Sequence, residues 1–173
     1  MSNTLFGGAC MTNHGAVVDE CRRAFADNAP AWPAGLIRFL DQPPDPQRVF
    51  GWVLRCTRRL LAMLGESTPN LEEQLALLES YVNQRVDVAV IRKTLEWLWV
   101  QRSPHETAKT AVVQLFGALI RYREGDPYRH LSCTVSITML VGAADNREQA
   151  LEEVFQDFRD FVSDEERRTS RCT

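Results

Sequence analysis

Apolar residues recur along the chain at three- and four-residue intervals, interrupted at regular points by a Ser, Thr or Asp followed by proline. Between residues 46 and 64, Val49, Val53, Cys56, Leu60 and Met63 form one such row, the inner stripe of a helix about 28 Å long. Leu71, Leu75, Leu78 and Val82 continue the pattern, followed by Val88, Ile91, Leu95 and Leu98. Ala108, Val112, Leu115, Leu119 and Tyr122 supply another stripe, and Leu151, Val154, Phe155, Phe158 and Val162 the last. Residues 16–27 and 33–40 read as two shorter helices.

The punctuation agrees with the periodicity. A helix start leaves backbone N–H groups unpaired; a Ser, Thr or Asp side chain accepts from them, and proline fits at the next position. Asp45-Pro46, Thr68-Pro69, Ser103-Pro104 and Asp126-Pro127 each have that form. Ser103 with Glu106 is spaced as a capping box, Asp145 with Glu148 as its acidic variant, and Asp87 is placed to cap the helix from Val88. Residues 132–141 are rich in β-branched types and read locally as a strand. A lone strand has nothing to pair with, so the segment is assigned to a buried helix ending at Gly142. The expectation is an all-α, single-domain bundle or stack of antiparallel helical hairpins, with about six to eight helices. A flexible segment over 1–15, a helical domain over 16–163 and a polar tail over 164–173 complete the division.

Composition excludes several classes. A net charge of -3 gives no general phosphate-binding surface. The N-terminal residues lack a basic start and an apolar core before Cys10, so neither a secretory leader nor a lipoprotein anchor is expected. No apolar run approaches a bilayer span, so no membrane association is expected. Five cysteines, Cys10, Cys21, Cys56, Cys133 and Cys172, are scattered without a CxxC pair, which suits a reducing cytoplasm.

Chemistry-bearing motifs are sparse. His14, His105 and His130 form no HxxxH pair, and Cys10 with His14 lacks a second half-site, so no metal is expected. There is no GxSxG elbow and no phosphate-cradling glycine loop, so no catalytic residue or cofactor is assigned. Glu72-Glu73, Glu152-Glu153 and Glu165-Glu166 are sequence neighbours, about 100° apart on a helix, and do not converge.

Charge patterning says more. The last helix is crowded with acid, and Glu152, Asp157 and Asp160 offer an acidic docking surface. Arg48, Arg55, Arg58 and Arg59 gather on the 46–64 helix near Trp52, a mixture typical of interface anchors. The simpler account of the acids is an ordinary exposed helix whose N-terminal carboxylates the macrodipole favours, and that of the arginines is ion pairing within the chain to acidic helices. Trp97 and Trp99 stand about 200° apart on one helix, which implies either a central helix covered on both sides or one exposed indole. Central burial is expected.

The stretch from Leu36 through Gly51-Trp52-Val53-Leu54-Arg55-Cys56 to Tyr81 resembles small helical, uncharacterised or putative immunity proteins of bacterial secretion or toxin loci. The resemblance covers about a quarter of the chain and carries no active-site residue with it. It implies stoichiometric binding of a partner protein.

The function expected is therefore a non-enzymatic bacterial binding module of immunity, adaptor or secretion-accessory type, cytoplasmic, with Trp52, Arg55, Arg59, Glu152, Asp157 and Asp160 at the interface. Homodimerisation is compatible with such an array, although no heptad seam specifies it. Two alternatives belong to other classes. One is a nucleic-acid-associated regulator using the arginine patch, the other a small enzyme whose site assembles from His130, Glu79 and Cys133.

Overall fold

A computed structural model describes residues 14–170. Eight helices account for its secondary structure: α1 His14–Ala26, α2 Ala34–Leu40, α3 Pro46–Met63, α4 Pro69–Asn83, α5 Val88–Val100, α6 Glu106–Glu124, α7 His130–Ala143 and α8 Arg147–Ser170. Among the described residues there is no strand, and no helix is long and apolar enough to cross a membrane.

Local chemistry sets most of the boundaries. The Asp45 carboxylate accepts from the Gln47 and Arg48 amides at 2.9 and 3.3 Å, and Thr68 Oγ1 accepts from Leu71 at 3.3 Å. Asp87 accepts from Ala89 at 2.7 Å. The Ser103 and Glu106 box does form, through Ser103 N–H to Glu106 and His105 N–H to Ser103, but α6 begins only at Glu106. Likewise Asp126 closes a turn on the Tyr128 amide, and α7 starts at His130. At α8 the cap is Asn146, whose Oδ1 accepts from Gln149 at 3.0 Å, rather than Asp145. Gly125 ends α6 in the left-handed region, φ 69°, where a side chain would be strained.

The segment 132–141 is helical, within α7. It packs most extensively on α6 and also meets α2, α3 and α8, so it is apolar nearly all round because it is surrounded. Its β-branched residues serve the core rather than a sheet. Around it, α4 lies across α3 and α6, α8 along α3, and α1 along α2. Gly35 permits that last approach: a Cβ there would stand 2.9 Å from Cys21 Sγ. A chain of edge-to-face rings runs through the interior, Phe25 on Trp32 on Phe155, and Phe39 on Phe158 on Trp52.

Two ends differ from expectation. Residues 1–13 of the expected flexible segment lie outside the described residues, and His14 and Gly15 already belong to α1. At the other end α8 continues through Asp164 to Ser170, where the sequence suggests a frayed tail. Glu165 receives Arg48 at 2.7 Å, Asp164 lies 3.8 Å from Arg55, and Arg167 and Arg168 sit where the helix dipole favours cations.

Candidate functional site

The two charged patches expected to meet a partner meet each other. Antiparallel packing of α3 and α8 sets Arg48 against Glu165 (2.7 Å), Arg55 against Asp157 (3.3 Å) and Arg59 against Glu153 (2.6 Å). Asp160 lies 4.0 Å from Arg55, and Glu152 pairs with Arg22 of α1. Arg58 is taken by Glu72 and Glu79 of α4, at 3.3 and 2.9 Å. The arginine patch is thus neutralised from within and offers no open phosphate track.

Two of the expected interface residues are not on the surface at all. Trp52 is fully buried, edge-on to Phe158 with ring centroids 5.6 Å apart, because position 52 faces α8 rather than solvent. Asp157 is also fully buried, one turn along α8 from Glu153 and 3.1 Å across the α3–α8 seam from the Arg59 guanidinium. Burial pushes its carboxyl above the ordinary aspartate value, against the opposing pull of Arg59 and Arg55.

His130, Glu79 and Cys133 do not assemble into a catalytic constellation. Glu79 is on the Arg58 pair. The His130 ring nitrogen lies 2.7 Å from Asp41, which also accepts from Arg129 Nε at 2.8 Å and from the Asp45 amide at 3.2 Å. Asp41 is itself buried, so this cluster is a latch holding the end of α2 to the start of α7. Cys133 is buried behind it, and burial pushes its thiol up to about 12, leaving no nucleophilic thiolate at neutral pH. No group of His, Cys, Asp and Glu among the described residues is arranged to hold a metal ion, and Cys10 lies outside them.

The surface that stands out is α5. Only Ile91 and Leu98 are buried on it, with Leu95 partly covered, and α6 is its principal neighbour. Both indoles are exposed, Trp97 by 55% and Trp99 by 63%, together with Val90 and Val100. Central burial was expected from their spacing. Instead α5 lies at the edge, packs through a single stripe, and sends one indole to either flank. The helix end is fixed by Lys109, whose ammonium donates to the carbonyls of Trp99 and Gln101. A bond from Tyr81 to Thr94, 3.1 Å between oxygens, ties it to α4.

On the Trp99 flank a groove of about 490 Å³ runs along α6 between α5 and the start of α7. Leu95, Trp99, Val100 and Val113 make it mainly apolar, Gly117 leaves its floor open, and Arg121 and Ser132 stand at one end. Arg121 is held by Asp126 at 3.0 Å. Such a hollow, apolar with a few fixed polar groups, has the size and character of a binding site. A second hollow of about 460 Å³, between α1 and α8, is lined by Arg22, Glu148 and Glu152 as well as Phe25 and Leu151.

No family model, curated protein or solved structure matches the chain. The groove beside α5 is therefore read from its own geometry. In the sequence, the visible signal was a Trp-x-Trp pair in a helix with more apolar positions than one stripe needs.

Proposed function

We propose that this chain is a non-enzymatic protein-binding module, of immunity, adaptor or secretion-accessory type, and that it docks an apolar helix of its partner in the α5–α6 groove. One observation carries the reading: Trp99 stands 63% exposed on the lip of an apolar groove of about 490 Å³. Exposed tryptophan beside a pocket is the composition of an interface anchor, and an amphipathic helix laid in a groove uses such anchors one turn apart. Gln114 along the groove and Arg121 at its end give the ligand helix polar groups to register against. Trp52 and Asp157 are buried and Arg55 is engaged by Asp157, Asp160 and Asp164, whereas Trp99, Val100 and Val113 line the open groove.

The test is parallel affinity capture with wild type, Trp99→Ala and Gly117→Leu, the last of which fills the groove floor. One protein retained in near-equal amount by the wild type and lost with both variants is the expected result. Equal retention by all three, or retention of salt-labile nucleic acid alone, refutes the groove as the docking site.

A further inference from the structure

The outward arc of α5 carries a second pattern, which shares Glu96, Trp99 and Val100 with the rim of the groove. At 100° per residue, Ala89, Lys93, Glu96 and Val100 form a single row along the side opposite Ile91 and Leu98. Trp97 and Val90 flank this row on the α4 side, and Arg92 and Trp99 flank it on the groove side. Lys93, Glu96, Val90, Trp97, Trp99 and Val100 are not buried, and α8 and α3 lie elsewhere. The cations therefore occupy the first half of the helix, and the acid and both indoles the second.

We infer that this arc is the interface of a homodimer, in which two copies of α5 pack antiparallel about a twofold axis. With the axis midway between Thr94 and Leu95, Lys93 comes level with the partner subunit's Glu96, and Glu96 with the partner subunit's Lys93. Ala89 comes level with the partner subunit's Val100, so a small residue meets a larger one at each end. On one flank Trp97 falls between the partner subunit's Lys93 and the partner subunit's Val90, giving a cation–π contact and an apolar one. On the other, Trp99 falls beside the partner subunit's Arg92, which keeps its own Glu124 pair within the chain. A parallel pair would set Lys93 on lysine and Glu96 on glutamate. The helix is thus complementary to its own reverse, which is the requirement of an isologous interface.

The area is also right. Val90, Trp97, Trp99 and Val100 are 45%, 55%, 63% and 72% exposed, leaving about 450 Å² of mostly apolar surface open, at about 250 Å² for a whole tryptophan. A standard interface buries about 800 Å² per protomer, about three-fifths of it apolar. Because Trp97 and Trp99 lie on opposite flanks of the row, an α5 pair covers part of each indole, and the stems of Lys93 and Glu96 with Ala89 supply the rest of the contact.

Sedimentation equilibrium of the full chain tests the inference. The expected mass is twice the 19.7 kDa of one chain. Lys93→Glu and Glu96→Lys each place two like-charge pairs across the axis and should raise the dimer dissociation constant about tenfold or more. The double variant K93E/E96K exchanges the signs and should return it to within about threefold of wild type. Gly117→Leu, which fills only the groove, should leave the mass unchanged, so failure of the dimer and failure of the groove are read separately. A monomer at every concentration overturns the inference. So does a dimer insensitive to the single reversals, or one that the double variant does not restore.

Discussion

Replacing Trp52 by alanine and doing the same at Trp97 and Trp99 should give opposite results from one chemical change. Trp52 is fully buried against Phe158, whereas the α5 indoles stand in solvent. Covering a tryptophan takes at most about 250 Å² out of water, worth about 6 kcal/mol at 25 cal/mol per Å². Part of that is kept by the alanine Cβ. A further part is offset because Trp52 Nε1 is buried without a hydrogen-bond partner among the described residues, at a cost of about 1–3 kcal/mol that truncation removes. Trp52→Ala should therefore cost about 3 kcal/mol, the lower end of the range for large aromatic truncations. In a chain of this size that lowers Tm by about 6–12 °C. Trp97→Ala and Trp99→Ala, studied as monomers at high dilution, should stay within about 0.5 kcal/mol of wild type. Trp52→Phe, which keeps a ring and deletes the unpaired N–H, should lose less than about 1.5 kcal/mol. Urea unfolding followed by circular dichroism measures all four. A Trp52→Ala loss below about 1 kcal/mol, or an equal loss at Trp97, would refute the burial assignment on which the relocation of the interface rests.

Asp157→Asn should leave stability at pH 7 unchanged or raised, because burial disfavours the anion more than Arg59 and Arg55 favour it. The carboxyl is raised in the fold, so the wild type gains a contribution from this group as pH falls through its folded pKa toward the unfolded value of about 3.9; the Asn variant should lack that acid-side gain in urea midpoints. A loss above about 2 kcal/mol at pH 7 would show that the arginines outweigh desolvation. Asp41→Ala strips the partners of Arg129 and His130 together and should cost about 2–4 kcal/mol, with hydrogen exchange rising first in α2 and at the start of α7; uniform protection there would contradict the latch. Gly35→Ala gains helix propensity but drives a Cβ to 2.9 Å from Cys21 Sγ, and a net loss of about 1–2 kcal/mol is expected in the same assay; a stabilised variant would mean that α1 yields freely.

The helices were legible because their signals are local. Asp45, Thr68 and Asp87 cap the helices their positions announce, and the inner stripes of α3, α4, α6 and α8 are the buried ones except at two ends, where Met63 is exposed on the last turn of α3 and Tyr122 is only partly covered. The reading of 132–141 as helix rested on elimination, and it holds because three further helices surround α6 and α7 at that level. What periodicity does not contain is the number of neighbours a helix has. Trp97 and Trp99 look alike whether α5 is central or at the edge, and only the position of α6 and α4 decides it. The same gap explains Trp52 and Asp157. Both stand beside arginines in a helical pattern that suits an exposed anchor, and the approach of α8 from across the chain turns them inward. Charge opposition was visible in outline, since the α3 and α8 patches have opposite signs. Their pairing in detail depends on an antiparallel register that no local signal fixes.

That register gives the last helix a particular part in biosynthesis. A nascent chain that has emerged only as far as α7 presents an arginine-lined apolar trough where Trp52, Cys56 and Leu60 await cover. The segment that closes it, Arg147–Ser170, brings both the phenylalanines that fill the trough and the carboxylates that quench its charge. Because acid and aromatic positions repeat together, a slip of α8 by one residue turns Phe158 away from Trp52 and Phe155 away from Trp32 at the same moment that it separates Glu153 from Arg59. A chain truncated at a premature stop within this helix would keep an uncovered apolar cleft lined with unpaired arginines, a surface open to chaperones and polyanions alike.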